Sequence, residues 1–218
     1  MIRGAIFDLD GTLLDSMAIW DTIGETYLRS LGKEPKEDLK ETFKTFTMEQ
    51  SAQYYREHYG VSLSVEEIIR DVDRIVENFY LDTVLLKPGA ADFLEELSGR
   101  GVNMCIATVT NEHLVTAALQ RLGVRDYFTR IFTCASVGHS KEEPHIYRAA
   151  ARHLQTEKAE TMVFEDTLHA LKTAKTDGFL ATAVYDVHEE QQTELKEMAD
   201  CYIAEYPHAE EFWNYISL

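Results

Sequence analysis

From residue 88 to the end, the chain alternates short apolar runs with stretches of helical periodicity. The apolar runs cover residues 102–107, 131–135, 162–164, 179–184 and 202–204. Between them, hydrophobic residues recur three and four positions apart, as on one face of a helix. Strands that alternate with helices form right-handed βαβ units, and continuous apolar strands are covered on both faces. This rhythm therefore predicts an α/β fold with a mostly parallel sheet.

One further apolar run, residues 2–9, opens the chain and leads into a turn at Gly11. Residues 16–86 then show helical periodicity without any strand-like run. Ser64, followed three positions later by Glu67, has the pattern of a capping box at the start of a helix. We therefore expect an all-helical domain over residues 16–86, inserted into an α/β domain that is formed by residues 1–15 and 87–218.

The composition restricts the partners and the compartment of this chain. With 38 acidic residues against 21 Lys and Arg, its 218 residues have a formal net charge of -17, which repels nucleic acid and anionic membranes. No apolar run approaches the roughly 20 residues that span a bilayer, and the N-terminus lacks the apolar core of a signal peptide. The 3 cysteines form no CxxC pair. The prediction is a cytoplasmic protein, monomeric by default, that binds neither nucleic acid nor membranes.

Polar residues follow four of the predicted strands. The carboxyl ends of parallel strands share one edge of the sheet, where ligands bind. Asp8 and Asp166 would offer the oxygen ligands that Mg²⁺ prefers, and Lys141 would offset the charge of a bound phosphate. Asp10, two residues after Asp8, is placed to act as a general acid and base. The residues of interest after the strands are Asp8, Asp10, Gly11 and Thr12, then Thr108, Thr110 and Asn111, then Ser140 and Lys141, then Glu165 and Asp166.

Four ordered motifs resemble those of the haloacid dehalogenase superfamily: the run Asp-Leu-Asp-Gly-Thr at residues 8–12, Thr108, Lys141, and the acidic pair at residues 165–166. The inserted helical block stands where the phosphatase and β-phosphoglucomutase-like branch of that superfamily carries a helical cap. The resemblance covers nearly the whole chain, and four motifs in order are a specific signal. It implies an α/β core of Rossmann-like topology, with a mostly parallel sheet and an inserted all-helical cap domain.

The resemblance also implies the activity: a Mg²⁺-dependent phosphatase that hydrolyses a small phosphate monoester, such as a sugar phosphate, through an aspartyl phosphate. Asp8 corresponds to the nucleophile of the family and Asp10 to its general acid and base. Thr108 corresponds to the hydroxyl that grips the phosphate, and Lys141 to the lysine that restrains the nucleophile. The residues that correspond to the Mg²⁺ site are Asp8, Asp10 through its backbone carbonyl, Asp166, and Glu165 through water.

Further residues are expected to contact the substrate. In the core these are Gly11, Val109, Thr110 and Asn111, and in the cap they are Trp20 and Lys44. The chain departs from the family after Lys141, where Glu142 and Glu143 replace the usual proline and small residue. The histidines nearby match no metal-binding spacing, so we interpret them as surface residues.

Three other functions are weighed against this prediction. A sugar-phosphate mutase of the same superfamily would need a cap residue that binds a second phosphate, but Met48 stands where the phosphoglucomutase relative places an arginine. A phospho-signalling receiver module uses similar residues, but receivers are about half as long and lack the helical insert. A catalytically weak binding protein is disfavoured by the complete motif set. The phosphatase is therefore the preferred prediction.

Overall fold

The computed structural model describes residues 2–43 and 46–217. The chain divides into two compact units: Met1–Ser16 together with Val84–Leu218, and Met17–Thr83. We call them the core unit and the helical unit. Within the described residues, no helix combines the length and the apolar character that crossing a bilayer requires.

The described part of the core unit contains a six-stranded sheet. Its strands are β1 (Gly4–Phe7), β2 (Asn103–Thr108), β3 (Phe128–Thr133), β4 (Thr161–Glu165), β5 (Leu180–Val184) and β6 (Cys201–Ile203). They are parallel and lie in the order β3-β2-β1-β4-β5-β6. The chain winds outward from β1 in one direction and then, from β4, in the other, so the carboxyl end of β1 is a switch point where such sheets bind ligands. The predicted α/β fold class is confirmed.

Helices connect the strands and form the second unit. The helical unit contains α1 (Ala18–Ser30), α2 (Leu39–Phe43), α3 (Met48–Tyr59) and α4 (Val65–Asn78), followed by a π-helical turn at Phe79–Thr83. The core unit contains α5 (Ala90–Gly99), α6 (Glu112–Arg121), α7 (Cys134–Val137), α8 (His145–Leu154), α9 (Leu168–Thr176), α10 (Gln192–Met198) and α11 (Glu210–Ile216). The capping box predicted at Ser64 is confirmed, because its hydroxyl accepts from the Glu67 amide and the Glu67 carboxylate accepts from the Ser64 amide.

Both faces of the sheet are buried, as the continuous apolar strands predicted. On one face, Phe7 stacks on Phe164 with ring centroids 4.1 Å apart, and Phe212 of α11 packs against Phe164. On the other face, Ile6 and Val163 are fully buried in a cluster with residues of α8. Adjacent residues of β1 pack on opposite faces of the sheet, so a shift by one residue would move every side chain to the other face. This requirement fixes the register of the strand.

The third strand ends earlier than its apolar run predicted. Residues 131–135 were expected to be strand, but β3 ends at Thr133 and Cys134 begins α7. A capping box explains the difference, since the Thr133 hydroxyl accepts from the Ser136 amide and the Ser136 hydroxyl accepts from the Thr133 amide, both at 3.0 Å. Gly138 then ends α7 with a φ of 79°, a conformation that favours glycine. This short helix sets the start of the loop that carries Lys141.

Candidate active site

The register of the central strands places Asp8 in the middle of the carboxyl edge. Phe7 is paired with Ile106 of β2 on one side and with Phe164 of β4 on the other. The next amide, that of Asp8, donates to the Phe164 carbonyl at 2.9 Å. Asp8 therefore lies beside Glu165, the last residue of β4, and only 6% of its surface is exposed.

A buried lysine joins these two carboxylates. The Lys141 Nζ donates to Asp8 Oδ1 and, at 2.8 Å, to Glu165 Oε1. The Tyr147 hydroxyl of α8 donates to the same Glu165 oxygen at 2.7 Å. All four side chains are buried, so their charges interact through protein and not through water. Lys141 is thereby held in contact with the proposed nucleophile.

A third carboxylate completes the cluster and leaves it with an excess of negative charge. Asp8, Glu165 and Asp166 each offer an oxygen, and these oxygens lie within 4.8 Å of one another. Asp166 also accepts a hydrogen bond from the Thr12 hydroxyl at 3.2 Å. Three carboxylates against the one ammonium of Lys141 leave two negative charges uncompensated within this set. Buried oxygen ligands with two uncompensated negative charges suit a hard divalent cation such as Mg²⁺.

The pKa values of the residues in this cluster reflect the same excess of negative charge. Burial raises the pKa of Asp8 to about 7; Lys141 opposes this rise, whereas Glu165 and Asp10 reinforce it. Burial, with Asp8 and Glu165, also raises the pKa of Asp166 well above its ordinary value. Burial alone would lower the pKa of Lys141, but Asp8 and Glu165 outweigh it and raise that pKa. Lys141 therefore stays charged, while the aspartates need further positive charge in order to ionise fully.

The carboxylate of Asp10 accepts hydrogen bonds from two hydroxyl groups outside this cluster. The Ser16 Oγ donates to Asp10 Oδ1 at 2.7 Å, and the Thr110 Oγ1 donates to Asp10 Oδ2 at 2.6 Å. Both carboxylate oxygens thus accept a hydrogen bond from a side chain of the core unit. Its partly buried side chain is oriented by these bonds, as the proton-transfer role requires.

The remaining predicted core residues lie in the two loops around the cluster. Thr108 is fully buried at the end of β2, where its Oγ1 accepts from the Thr110 amide at 3.1 Å. The Gly11 amide donates to the Leu14 carbonyl at 3.1 Å, and its φ of 76° forms the turn after β1. Val109 is 65% exposed, and Asn111 is the exposed residue before α6.

The predicted substrate contacts of the helical unit are described only in part. Trp20 lies on α1 with 51% of its surface exposed, and Met48 begins α3 with 40% exposed. Lys44 lies outside the described residues. Phe43 makes edge-on contacts with Tyr54 and Tyr55, so it belongs to the core of the helical unit.

Three residues support the site without having been assigned a role from the sequence. Thr12 and Tyr147 hold Asp166 and Glu165 from outside the charged cluster. Ser16, the last residue of the first segment of the core unit, donates to Asp10. For Thr12 and Ser16 the available signal was a hydroxyl group close to the first acidic motif, which sequence alone cannot distinguish from an ordinary turn residue. Tyr147, 18 positions before Glu165, gave no such signal.

A third buried aspartate lies at the same edge of the sheet. Asp186, two residues after β5, accepts from the Lys87 Nζ at 2.9 Å and from the amide and the imidazole Nδ1 of His188 at 3.0 and 2.8 Å. Burial would raise the pKa of Asp186, but the His188 amide and Lys87 outweigh it and lower that pKa. This aspartate is therefore ionised and satisfied by its own partners.

Comparison with known proteins gives relatives of similar length and a solved structure of the same fold. The chain is 28% identical over 203 residues to Protein CbbY of Cereibacter sphaeroides, covering 87% of this chain and 88% of that protein. It is 24% identical over 177 residues to a phosphorylated carbohydrates phosphatase of Thermotoga maritima, covering 81% and 82%. The crystal structure of a putative beta-phosphoglucomutase from Thermotoga maritima superposes with a TM-score of 0.86 at 21% identity, covering 98% and 99%. At that identity, the superposition shows the fold alone.

The family assignment rests on a match over most of the chain. The sequence model of the haloacid dehalogenase-like hydrolases matches residues 5–184, a range that contains all four motifs. The resemblance stated from the sequence is thus confirmed, and the enzyme class expected from it, phosphoric monoester hydrolase, is the class to which a named relative belongs. This chain belongs to the haloacid dehalogenase-like hydrolase family.

Proposed function

We propose that this protein is a Mg²⁺-dependent phosphatase that hydrolyses a small phosphate monoester, a sugar phosphate or a similar metabolite, through an aspartyl phosphate on Asp8. The observation that carries the proposal is the buried cluster at the switch point of the sheet. There the carboxylate of Asp8 is held by Lys141 beside Glu165 and Asp166, with two negative charges in excess. A divalent cation supplies the missing positive charge and lets an anionic phosphate ester approach Asp8.

In the first step, a carboxylate oxygen of Asp8 attacks the phosphorus atom and the bond from phosphorus to the ester oxygen breaks. The departing alkoxide takes a proton from Asp10. The hydroxyl of Thr108 donates a hydrogen bond to a phosphoryl oxygen, and the ammonium of Lys141 offsets the charge that develops there. The products of this step are the free alcohol and the aspartyl phosphate.

In the second step, a water molecule attacks the phosphorus atom of the aspartyl phosphate. The carboxylate of Asp10 accepts a proton from this water, and the bond between Asp8 and phosphorus breaks. Inorganic phosphate is released, and both aspartates return to their starting protonation states. The hydroxyls of Ser16 and Thr110 orient Asp10 for its two opposite proton transfers.

The residues that would hold Mg²⁺ are Asp8 and Asp166, with the backbone carbonyl of Asp10, and with Glu165 acting through water. When bound, the ion supplies positive charge that keeps Asp8 ionised and allows an anionic phosphate to approach three carboxylates. The donor set consists of oxygens only, which is the preference of Mg²⁺ and not of softer metals.

One relative supports the proposed substrate class. A relative of similar length is named for its action on phosphorylated carbohydrates, which supports a sugar phosphate as substrate. We propose that the helical unit acts as the cap domain of this family and selects the alcohol portion of the ester. In this proposal Trp20, Lys44, Val109 and Asn111 contact the substrate, while Gly11 shapes the phosphate-binding turn.

Phosphate release from a panel of sugar, nucleotide and small-acid phosphates tests the proposal. We expect Mg²⁺-dependent turnover on one group of compounds, abolished by EDTA and in Asp8→Asn. The matched control is Asp177→Asn, because Asp177 is also an ion-paired aspartate but contacts Arg148 and Lys158. The proposal fails if Asp8→Asn releases phosphate as fast as the control does.

The same assay separates the hydrolase from the two alternatives. Interconversion of two sugar phosphates without net release of phosphate would identify a mutase. A stable aspartyl phosphate that forms once and does not turn over would identify a receiver-like module. Repeated release of phosphate from the preferred compound contradicts both.

A further inference from the structure

The loop that carries Lys141 brings two imidazoles and a carboxylate together at the surface of the core unit. His139 Nδ1 lies 2.5 Å from Glu143 Oε2, and His145 Nε2 lies 3.7 Å from the same oxygen. One nitrogen of each ring and this oxygen all lie within 4.8 Å of one another. The two rings stack with their centroids 3.9 Å apart.

These distances suit the ligands of a small transition-metal ion. Bonds of about 2.1 Å in a tetrahedral zinc site place neighbouring ligand atoms about 3.4 Å apart. The two separations observed here, 2.5 and 3.7 Å, lie on either side of that value. To hold one ion, the two rings must turn out of this stack so that a nitrogen lone pair of each points at it. Their position at the surface leaves room for that rotation. Two histidines and one carboxylate, with a position left for water, are a donor set that zinc uses in proteins.

The backbone holds the three side chains near this arrangement. Gly138 ends α7 at one side of the loop, and α8 begins at His145 on the other. The Glu143 amide donates to the Ser140 carbonyl at 3.3 Å, which forms a turn between them. A site supplied by one short segment with anchored ends loses little conformational entropy on binding. The net charge of -17 also favours the approach of cations.

We infer that His139, Glu143 and His145 form a binding site for a divalent transition-metal ion, with Zn²⁺ preferred, separate from the carboxylate cluster. The nitrogen donors favour Zn²⁺ over Mg²⁺, whereas the oxygen donors at Asp8 have the opposite preference. Lys141 lies between His139 and Glu143 in sequence, so an ion bound here restrains the loop that positions the proposed catalytic lysine. The inference does not depend on the proposed phosphatase activity.

Zinc titration of the full chain in excess Mg²⁺, with a chromophoric chelator as competitor, tests the site. We expect one Zn²⁺ per chain, with the affinity reduced more than about tenfold in His139→Ala and in His145→Ala, since losing even an indirect partner of a metal costs about that much. The matched control is His153→Ala, an exposed histidine that contacts Thr129. Asp8→Asn should retain the zinc, because its carboxylate belongs to the other cluster.

Cobalt provides a readout that is independent of affinity. Co²⁺ bound to the wild-type chain should give visible absorption bands of a nitrogen-coordinated ion, and these bands should be absent in the His139→Ala and His145→Ala double variant. Unchanged zinc affinity in that double variant, or no zinc binding by the wild type, overturns the inference. Zinc binding that disappears in Asp8→Asn and persists without the histidines assigns the metal to the carboxylate cluster and overturns it as well.

Discussion

Two buried aspartates at one edge of the sheet have opposite electrostatics. Asp8 follows β1, and Asp186 lies shortly after β5. Both are buried, and each is paired with the ammonium group of a lysine. Nevertheless, the pKa of Asp8 is raised to about 7, whereas the pKa of Asp186 is lowered. A buried pair of aspartate and lysine is therefore not diagnostic of a catalytic site.

The difference lies in how many carboxylates each ammonium serves. Lys87 pairs with Asp186, which also accepts two hydrogen bonds from His188. Lys141, in contrast, is shared by Asp8 and Glu165, and Asp166 lies beside them. One cluster is complete without a ligand, and the other needs a cation. This contrast distinguishes a structural ion pair from a candidate site in physical terms.

The largest expected difference between the two aspartates is in activity. Asp8→Asn should lower kcat/KM for phosphate release by roughly 10⁴-fold or more, because an amide cannot act as the nucleophile. Asp186→Asn should lower it less than about tenfold, because this residue touches no proposed reacting group. Steady-state phosphate release measures both, with circular dichroism to verify folding. Equal losses in two folded variants would remove the distinction.

Removing the lysine of the complete cluster should mainly affect stability. Lys87→Met leaves Asp186 buried without its cation, so the free energy of unfolding should fall by about 3 kcal/mol. Urea denaturation measures this change. Lys141→Met is the matched variant: its loss of stability should be recovered in part by added Mg²⁺, whereas that of Lys87→Met should not. Recovery of both variants to the same extent would contradict the comparison.

Mg²⁺ should stabilise the folded chain through one cluster only. At a free Mg²⁺ concentration about 100 times its Kd, the free energy of unfolding should rise by about 2.7 kcal/mol. Asp166→Asn should abolish this increment, and Asp186→Asn should retain it. Urea denaturation with and without Mg²⁺ checks the expectation. An increment that survives in Asp166→Asn would place the metal elsewhere.

In Mg²⁺-free buffer, the pH dependence of stability should have opposite signs for the two aspartates. The raised pKa of Asp8 contributes stability that is complete below the ordinary value of 3.8 and is lost as the pH rises toward about 7. The lowered pKa of Asp186 contributes stability that is complete above 3.8 and is lost as the pH falls through the folded-state pKa.

Urea denaturation from about pH 3 to pH 7.5 measures both effects. Relative to Asp8→Asn, the wild type should lose about 2 kcal/mol as the pH rises through this window, since one pKa unit corresponds to about 1.4 kcal/mol and the neighbouring carboxylates share the effect. Relative to Asp186→Asn, it should lose stability only at the acidic end. Parallel curves for the two variants would show that the clusters do not differ in the way described.

Strand ends were the most predictable part of this molecule. The carboxyl edge of a parallel sheet is determined by the order of short apolar runs, so the grouping of Asp8, Glu165 and Asp166 followed from local patterns. The roles of these residues in catalysis remain predictions. The end of β3 was predicted wrongly because it depends on hydrogen bonds. Thr133 and Ser136 cap a short helix whose residues continue the apolar run of the strand.

The Asp186 cluster at the sheet edge and the histidine cluster at the surface show a different limit of sequence-based prediction. An aspartate after a strand is usually a solvated turn residue, and only the fold brings Lys87 to Asp186, 99 positions away. His139 and His145 are separated by a loop, so their meeting depends on a turn at Ser140 and not on helical spacing. Contacts that depend on loop conformation leave little periodic signal in the sequence.

The central position of β1 has a consequence for synthesis. Its residues are made well before those of both neighbouring strands, since Gly4 is paired to Asn103 and to Thr161. The helical unit is continuous in sequence over Met17–Thr83 and needs no such delayed partner. At 5–20 residues per second, roughly 4–16 s separate the end of the helical unit from Glu165. During that interval the side of β1 that pairs with β4 has no partner, which exposes an apolar strand to chaperones and to aggregation.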